Sequence, residues 1–124
     1  MKLGFIGTGV MGTGIIKNFL KNGQEVVVFN RTQAHAQPVI EAGATWAESP
    51  HAAAAQCDIV LSMVGFPQDV ETIYFGSDGI LAGARKGALL IDMTTSTPTL
   101  AKKIAAKAAE KGLQAVDAPV SGGD

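Results

Sequence analysis

Short apolar runs rich in Val, Ile, Leu and Phe recur along the chain, each followed by a glycine or polar turn and then by an alanine-rich stretch of helical spacing. The runs predict strands at 2–6, 25–30, 44–46, 58–63, 88–92 and 113–117. Several are almost continuously apolar, as strands covered on both faces must be. Strand and helix in strict alternation imply βαβ units and a parallel sheet. After the first strand, Met11, Ile15 and Phe19 recur at i, i+4 and i+8 and predict the sheet-facing stripe of a helix whose Lys17 and Lys21 point outward and which Gly23 ends. The last helix is predicted to be capped by Thr97 and to begin at Pro98. It buries Leu100, Ile104 and Ala108 and stops at Gly112, with Lys102, Lys103, Lys107 and Lys111 as a solvated face.

Composition narrows the class. With 124 residues, 47% hydrophobic and 17% charged, the chain has material for one core, and no linker or low-complexity tract divides it, so residues 1–124 are read as one domain. The net charge of −1 and the scattered Lys, Arg, Asp and Glu leave no footprint for nucleic acid or an anionic membrane surface. No apolar run approaches the ~18 residues of a membrane span, and the first residues carry no signal-peptide pattern. The single Cys57 has no disulfide partner and forms no metal-ligand cluster with His35 and His51. The expected compartment is the cytoplasm. Cys57 is expected to be a small buried hydrophobe, Trp46 a packing residue, and His35 and His51 surface helix residues.

Between the first strand and its helix stands Gly7-Thr8-Gly9-Val10-Met11-Gly12, a Gly-x-Gly-x-x-Gly in the context that dinucleotide binding requires. Gly7 permits the tight turn, Gly9 lets the backbone approach the pyrophosphate, and Gly12 lets helix and strand pack closely, while the helix N-terminus attracts the negative charge. The fold expected is α/β, a doubly wound Rossmann sheet of strand order 3-2-1-4-5-6. Glycine-rich turns of this kind also serve flavin proteins and methyltransferases. A methyltransferase would present an acid after the second strand, where this chain reads Asn30-Arg31-Thr32.

That same position distinguishes the two nicotinamide cofactors. An NAD site usually offers an acid to the ribose hydroxyls, whereas neutral Asn30, cationic Arg31 and the Thr32 hydroxyl suit a 2′-phosphate, so NADP is favoured over NAD. An ordinary solvated arginine, or one stacked on the adenine of NAD, is the competing reading of Arg31. Two more segments follow strands at their ligand-binding ends. In Asp92-Met93-Thr94-Thr95-Ser96-Thr97-Pro98, the residues 94–96 can face the cleft while Thr97 caps the helix. In Asp117-Ala118-Pro119-Val120-Ser121-Gly122-Gly123, a serine hydroxyl and flexible backbone can meet an anion, although such a turn is also common loop punctuation.

Taken together, residues 4–12, 91–96 and 117–123 resemble, in order and approximate spacing, the N-terminal domain of the β-hydroxyacid dehydrogenases. That family includes 3-hydroxyisobutyrate dehydrogenase, tartronate semialdehyde reductase and the glyoxylate/succinic semialdehyde reductases. The resemblance implies that Gly7, Thr8, Gly9, Val10, Met11 and Gly12 cradle the cofactor and that Met63 and Val64 lie beside it. It further implies that Thr95 or Ser96 approaches the nicotinamide ribose, and that Ser121, Gly122 and Gly123 hold the substrate, with Ser121 orienting it for catalysis. One departure follows Met63, where many members carry Pro-Asn and this chain reads Val64-Gly65-Phe66-Pro67. The family's catalytic lysine, its nearby asparagine and its all-helical second domain would fall beyond position 124, and none of the lysines here matches that lysine's motif.

The resemblance therefore implies NADP- or NAD-dependent hydride transfer between the cofactor and the CH–OH carbon of a small 3-hydroxy acid, or its semialdehyde. It implies a homo-oligomeric full-length enzyme and no turnover by residues 1–124 alone. An imine reductase of the same architecture and a non-catalytic dinucleotide-binding module are the alternatives.

Overall fold

The computed structural model describes residues 2–7, 10–63, 67–93 and 98–117. In chain order these form β1 (Lys2–Ile6), α1 (Val10–Lys21), β2 (Glu25–Phe29), α2 (Gln33–Glu41), β3 (Thr45–Trp46) and α3 (Pro50–Ala54). The second half follows as β4 (Ile59–Ser62), α4 (Pro67–Phe75), α5 (Ile80–Gly83), β5 (Leu89–Asp92), α6 (Pro98–Glu110) and β6 (Gln114–Asp117). The six strands lie in the order β3-β2-β1-β4-β5-β6, and all five neighbouring pairs are parallel. This is the expected doubly wound Rossmann sheet, with its order reversing between β1 and β4.

β1 has the expected bounds, and the other five strands are shorter than the apolar runs by a residue or two, because the flanking residues spend their backbone groups on turns. Ala44 N donates to Val39 O (3.0 Å) to close α2, Ala88 N to Arg85 O (2.9 Å), and Leu113 N to Ala108 O (2.9 Å). The last bond belongs to a helix stop in which Gly112, at φ 75°, also donates to Ala109 O at 3.2 Å. Gly23 ends α1 in the same way, with its own N on Leu20 O and Gln24 N on Phe19 O. Gly43 repeats the pattern after α2, a stop that the residue pattern alone did not single out.

Alternation along the strands divides the core. On one face Leu3, Phe5, Val26, Val28 and Leu61 pack with Ile16 of α1 and with Ala36 and Val39 of α2. On the other, Ile6, Val27, Val60 and Leu90 pack against α3, α4, α5 and α6, including Leu100, Ile104 and Ala108 as expected for the last helix. Thr97, expected to cap α6, lies outside the described residues. Cys57 is fully buried in this second layer, and its sulphur would lie 3.2 Å from a Cβ on Gly4. Trp46 is half-buried and stacks on Phe29 with centroids 5.7 Å apart, a packing role as expected.

Two expectations change. The inward line of α1 runs through Gly12 and Ile16, the latter 0% exposed, whereas Ile15 and Phe19 are only half-buried. The reason is Gly12: without a side chain it is the point of closest approach to β1, so the helix turns that line toward the sheet. His35 is exposed, but His51 is half-buried, its backbone N donating to Asp78 O at 2.7 Å and its carbonyl pressed against Gly83 of α5. The exposed pairs Arg85–Asp58 (2.8 Å) and Lys103–Glu71 (3.1 Å) contribute little to stability.

The rotation of α1 has a measurable consequence. Ile16→Ala is expected to lower the unfolding free energy by about 2–5 kcal/mol, and Ile15→Ala by clearly less, in urea unfolding. Equal losses would contradict the observed orientation of the helix.

Candidate functional site

In a parallel sheet every strand ends on the same edge, and where the order reverses the two outgoing chains diverge and leave a crevice. Here that edge carries Gly7 after β1, Asn30 after β2, Met63 after β4 and Met93 after β5. The strand ends are tied together by backbone hydrogen bonds: Gly7 N to Phe29 O at 2.9 Å, Met63 N to Ile6 O at 2.9 Å and Met93 N to Ser62 O at 2.8 Å.

Gly7 turns the chain out of β1 at φ 91°, a conformation that residues with a Cβ rarely adopt, and it is buried while doing so. From there the chain enters α1, whose amino end faces the same edge. Its first-turn N–H groups have no acceptor within the helix and carry the positive end of the dipole, so an anion placed there is stabilised without any cationic side chain. Gly12 lies in that first turn, and a Cβ on it would come within 3.1 Å of Gly7 O and 3.1 Å of the Phe5 ring. Glycine lets the helix sit this close to β1; with any other residue Gly7 O and the Phe5 ring would have to give by a few tenths of an ångström.

Val10 and Met11 are the first two residues of α1. At the end of β2, Asn30 is half-buried and its Nδ2 donates to Thr32 O at 2.9 Å, which fixes the turn that presents exposed Arg31. Thr32 is exposed and stands as the N-cap residue of α2 without a side-chain cap bond. Met63 is half-buried at the same edge. The structure thus gathers Gly7, the amino end of α1 with Gly12, Asn30, Arg31, Thr32 and Met63 along one edge. Thr8, Gly9, Val64, Thr95, Ser96, Ser121, Gly122 and Gly123 lie outside the described residues.

A group that the sequence reading did not assemble stands at the same edge. Ser62 and Asp92, the last residues of β4 and β5, are register partners, and the Ser62 hydroxyl donates to Asp92 Oδ1 at 2.9 Å. Tyr74 of α4 reaches the same hydroxyl at 2.8 Å. Nothing in the spacing of a serine, a tyrosine and an aspartate over these positions signals their meeting. The pairing of β4 with β5 brings Ser62 and Asp92 together, and the packing of α4 on the sheet adds Tyr74.

Cys57, at the opposite edge, is no nucleophile: burial pushes its thiol up to about 11 from the ordinary 9.0, against the weaker pull of Lys2 and Arg85. Among the described residues no group of three His, Cys, Asp or Glu could hold a metal ion, and no helix is long and apolar enough to cross a membrane.

The close approach at Gly12 is open to direct trial. Gly12→Val is expected to lose roughly 1–3 kcal/mol of stability in thermal or urea unfolding, because Gly7 O and the Phe5 ring must both give way. An unchanged stability would mean that α1 does not need to sit as close to β1 as it does here.

Comparison with known proteins agrees with this geometry. The family described as the NAD binding domain of 6-phosphogluconate dehydrogenase matches residues 2–124. Oxidoreductase YkwC of Bacillus subtilis (strain 168) is 51% identical over 98% of this chain and 42% of its own length. The mitochondrial 3-hydroxyisobutyrate dehydrogenase-like protein 1 of Arabidopsis thaliana is 48% identical over 99% of this chain and 37% of its own. The NAD-dependent L-serine dehydrogenase of Pseudomonas aeruginosa is 42% identical over 98% of this chain and 41% of its own.

Among solved structures, Mycobacterium tuberculosis 3-hydroxyisobutyrate dehydrogenase with L-serine superposes with a TM-score of 0.89 at 33% identity, covering 98% of this chain and 41% of that one. An imine reductase from Myxococcus stipitatus in complex with NADP+ gives 0.84 at 29% identity, over 94% of this chain and 40% of that one. The chain spans 37–42% of the length of the relatives named from Bacillus and Arabidopsis. It belongs to the family of the NAD-binding domain of 6-phosphogluconate dehydrogenase, and its relatives are 3-hydroxyisobutyrate dehydrogenase-like oxidoreductases.

Proposed function

We propose that residues 1–124 are the NADP(H)-binding Rossmann domain of an oxidoreductase that moves a hydride between the nicotinamide and a small 3-hydroxy acid or its semialdehyde. The observation that carries this reading is the meeting, on one sheet edge, of the Gly7 turn, the amino end of α1 and the Asn30 to Thr32 turn. The first two suit a pyrophosphate, and the third suits the far end of an adenine nucleotide. The named relatives that act on hydroxy acids favour that substrate class over a sensor module.

In this reading the cofactor supplies the hydride chemistry. Gly7, Thr8, Gly9, Val10, Met11 and Gly12 bind the pyrophosphate, Met63 and Val64 flank the crevice, and Thr95 or Ser96 meets the nicotinamide ribose. Ser121 hydrogen-bonds the substrate while Gly122 and Gly123 allow the backbone to approach it closely, so this domain contributes orientation and anion binding. The proton is carried by a lysine outside residues 1–124, and these residues alone are proposed to be inactive. The full-length enzyme is proposed to be a homo-oligomer. A reducing compartment, the cytoplasm, suits the single free and buried thiol of Cys57.

NADP(H) is preferred because Arg31 stands exposed on a turn that Asn30 holds, with no acid at the end of β2 to meet ribose hydroxyls. An imine reductase is the second reading, favoured by the likeness to the Myxococcus enzyme; turnover of a cyclic imine but of no hydroxy acid would select it.

In titrations of the full-length protein followed by nicotinamide fluorescence, NADPH is expected to bind more tightly than NADH. Arg31→Ala is expected to weaken NADPH by roughly ten- to a hundredfold, the worth of one charge-assisted hydrogen bond, and to leave NADH unchanged. Equal binding of NADH and NADPH by both proteins would reject the 2′-phosphate assignment.

A further inference from the structure

Ser62, Tyr74 and Asp92 are 0%, 1% and 5% exposed, and they sit in an otherwise apolar layer that includes Val60, Val70, Ile80 and Leu90. A serine hydroxyl has one proton. Since Ser62 gives it to Asp92 Oδ1 at 2.9 Å, the 2.8 Å contact with Tyr74 is a bond that the tyrosine donates. The three groups thus form a directed chain from Tyr74 through Ser62 to a buried carboxyl.

Stability does not account for such a chain. Burying polar groups is unfavourable unless they are hydrogen-bonded, and even when they are, apolar residues of similar volume in place of both partners are often neutral or stabilising. β4 and β5 are already held by their ladder from Ile59↔Leu89 to Ser62↔Asp92. What the chain adds is orientation at one place. Its members are the last residue of β4, the last residue of β5 and a residue of α4, so it links the sheet edge to the helix that follows it. On its outer side Asp92 and Tyr74 border a largely apolar cavity of about 200 Å³ that is also lined by Ile104 and Ala115. Close packing is absent on that side, and hydrogen bonds hold the carboxyl instead.

The position matters because β4 and β5 lie on the side of the switch point away from β2, and β2 carries the turn assigned to the adenine end. A dinucleotide laid across the crevice puts its nicotinamide half over β4 and β5. We propose that Ser62, Asp92 and Tyr74 are positioning residues for the nicotinamide half of the cofactor, holding the carboxyl ends of β4 and β5 and the start of the cleft wall in one arrangement. This rests on the dinucleotide reading above.

The test uses the full-length protein carrying Ser62→Ala, Asp92→Asn or Tyr74→Phe, with NADPH and adenosine 2′,5′-bisphosphate as probes. The second probe contains the adenine half alone. Asp92→Asn and Ser62→Ala are expected to weaken NADPH by about tenfold and to raise its KM more than they lower kcat, while the bisphosphate binds as to wild type. The double variant should be no worse than Asp92→Asn alone, because both changes break one chain. Tyr74→Phe keeps the shape of the side chain and decides the matter if Asp92→Asn does not fold: it should show the same selective loss, to a smaller degree.

Variants that bind NADPH as wild type does, or that lose both probes in equal measure along with thermal stability, overturn the proposal and leave a structural role. In those cases wild type still binds NADPH, and the cofactor reading stands. A wild-type protein that binds neither NADPH nor NADH overturns the cofactor reading and this proposal with it.

Discussion

Ile6 and Ser62 end neighbouring strands, and the bond from Met63 N to Ile6 O at 2.9 Å holds the two chain exits side by side before they part. All else at the site follows from that junction. β2 and β3 continue the sheet in one direction and β5 and β6 in the other, so the sheet order reverses between β1 and β4, the place where a parallel sheet of this kind opens a crevice. A second constraint acts at the same point: α1 must start close to β1 for its amino end to face the crevice, and Gly12 is what allows that approach.

The two apolar layers keep this edge in register. The central strands β1, β2 and β4 are covered on both faces, so their side chains cannot slip by one residue without exchanging the two cores. Ile16, Val28 and Val39 on one side and Val60, Ile80 and Leu90 on the other are fully enclosed. The candidate edge is therefore built from turns, but from turns whose starting points are set by buried strands. The polar chain of Ser62, Asp92 and Tyr74 is the exception in this apolar setting, and it lies at the end of the strands rather than in their middle.

Much of the fold was readable from the residues because its signals are local. Apolar runs marked six strands, Gly23 and Gly112 marked helix ends through their need for positive φ, and the Leu100, Ile104 and Ala108 stripe marked the buried face of α6. The glycine turn placed the candidate site at the first strand exit. What was not readable depends on tertiary contact. Ile15 and Phe19 of the expected stripe do pack in that layer, while the Met11 side chain lies outside the described residues, and the stripe missed the turn that Gly12 imposes, which puts Ile16 innermost. His51 looked like a surface residue because the approach of α5 to α3 has no signature in its neighbours. The buried polar chain joins positions separated by 12 and 30 residues, so no spacing rule reaches it.

The central claim is that a dinucleotide lies along the carboxyl edge of the sheet, its pyrophosphate against the amino end of α1. Hydrogen exchange of the full-length protein with and without saturating NADPH tests it most directly. Slowed exchange in the first turn of α1, in the turn after β2 and at Met63 and Met93, with none at the opposite edge around Asp58 and Gly87, is the result this arrangement predicts. Protection confined to that opposite edge, or none at all with NADPH bound, would contradict it.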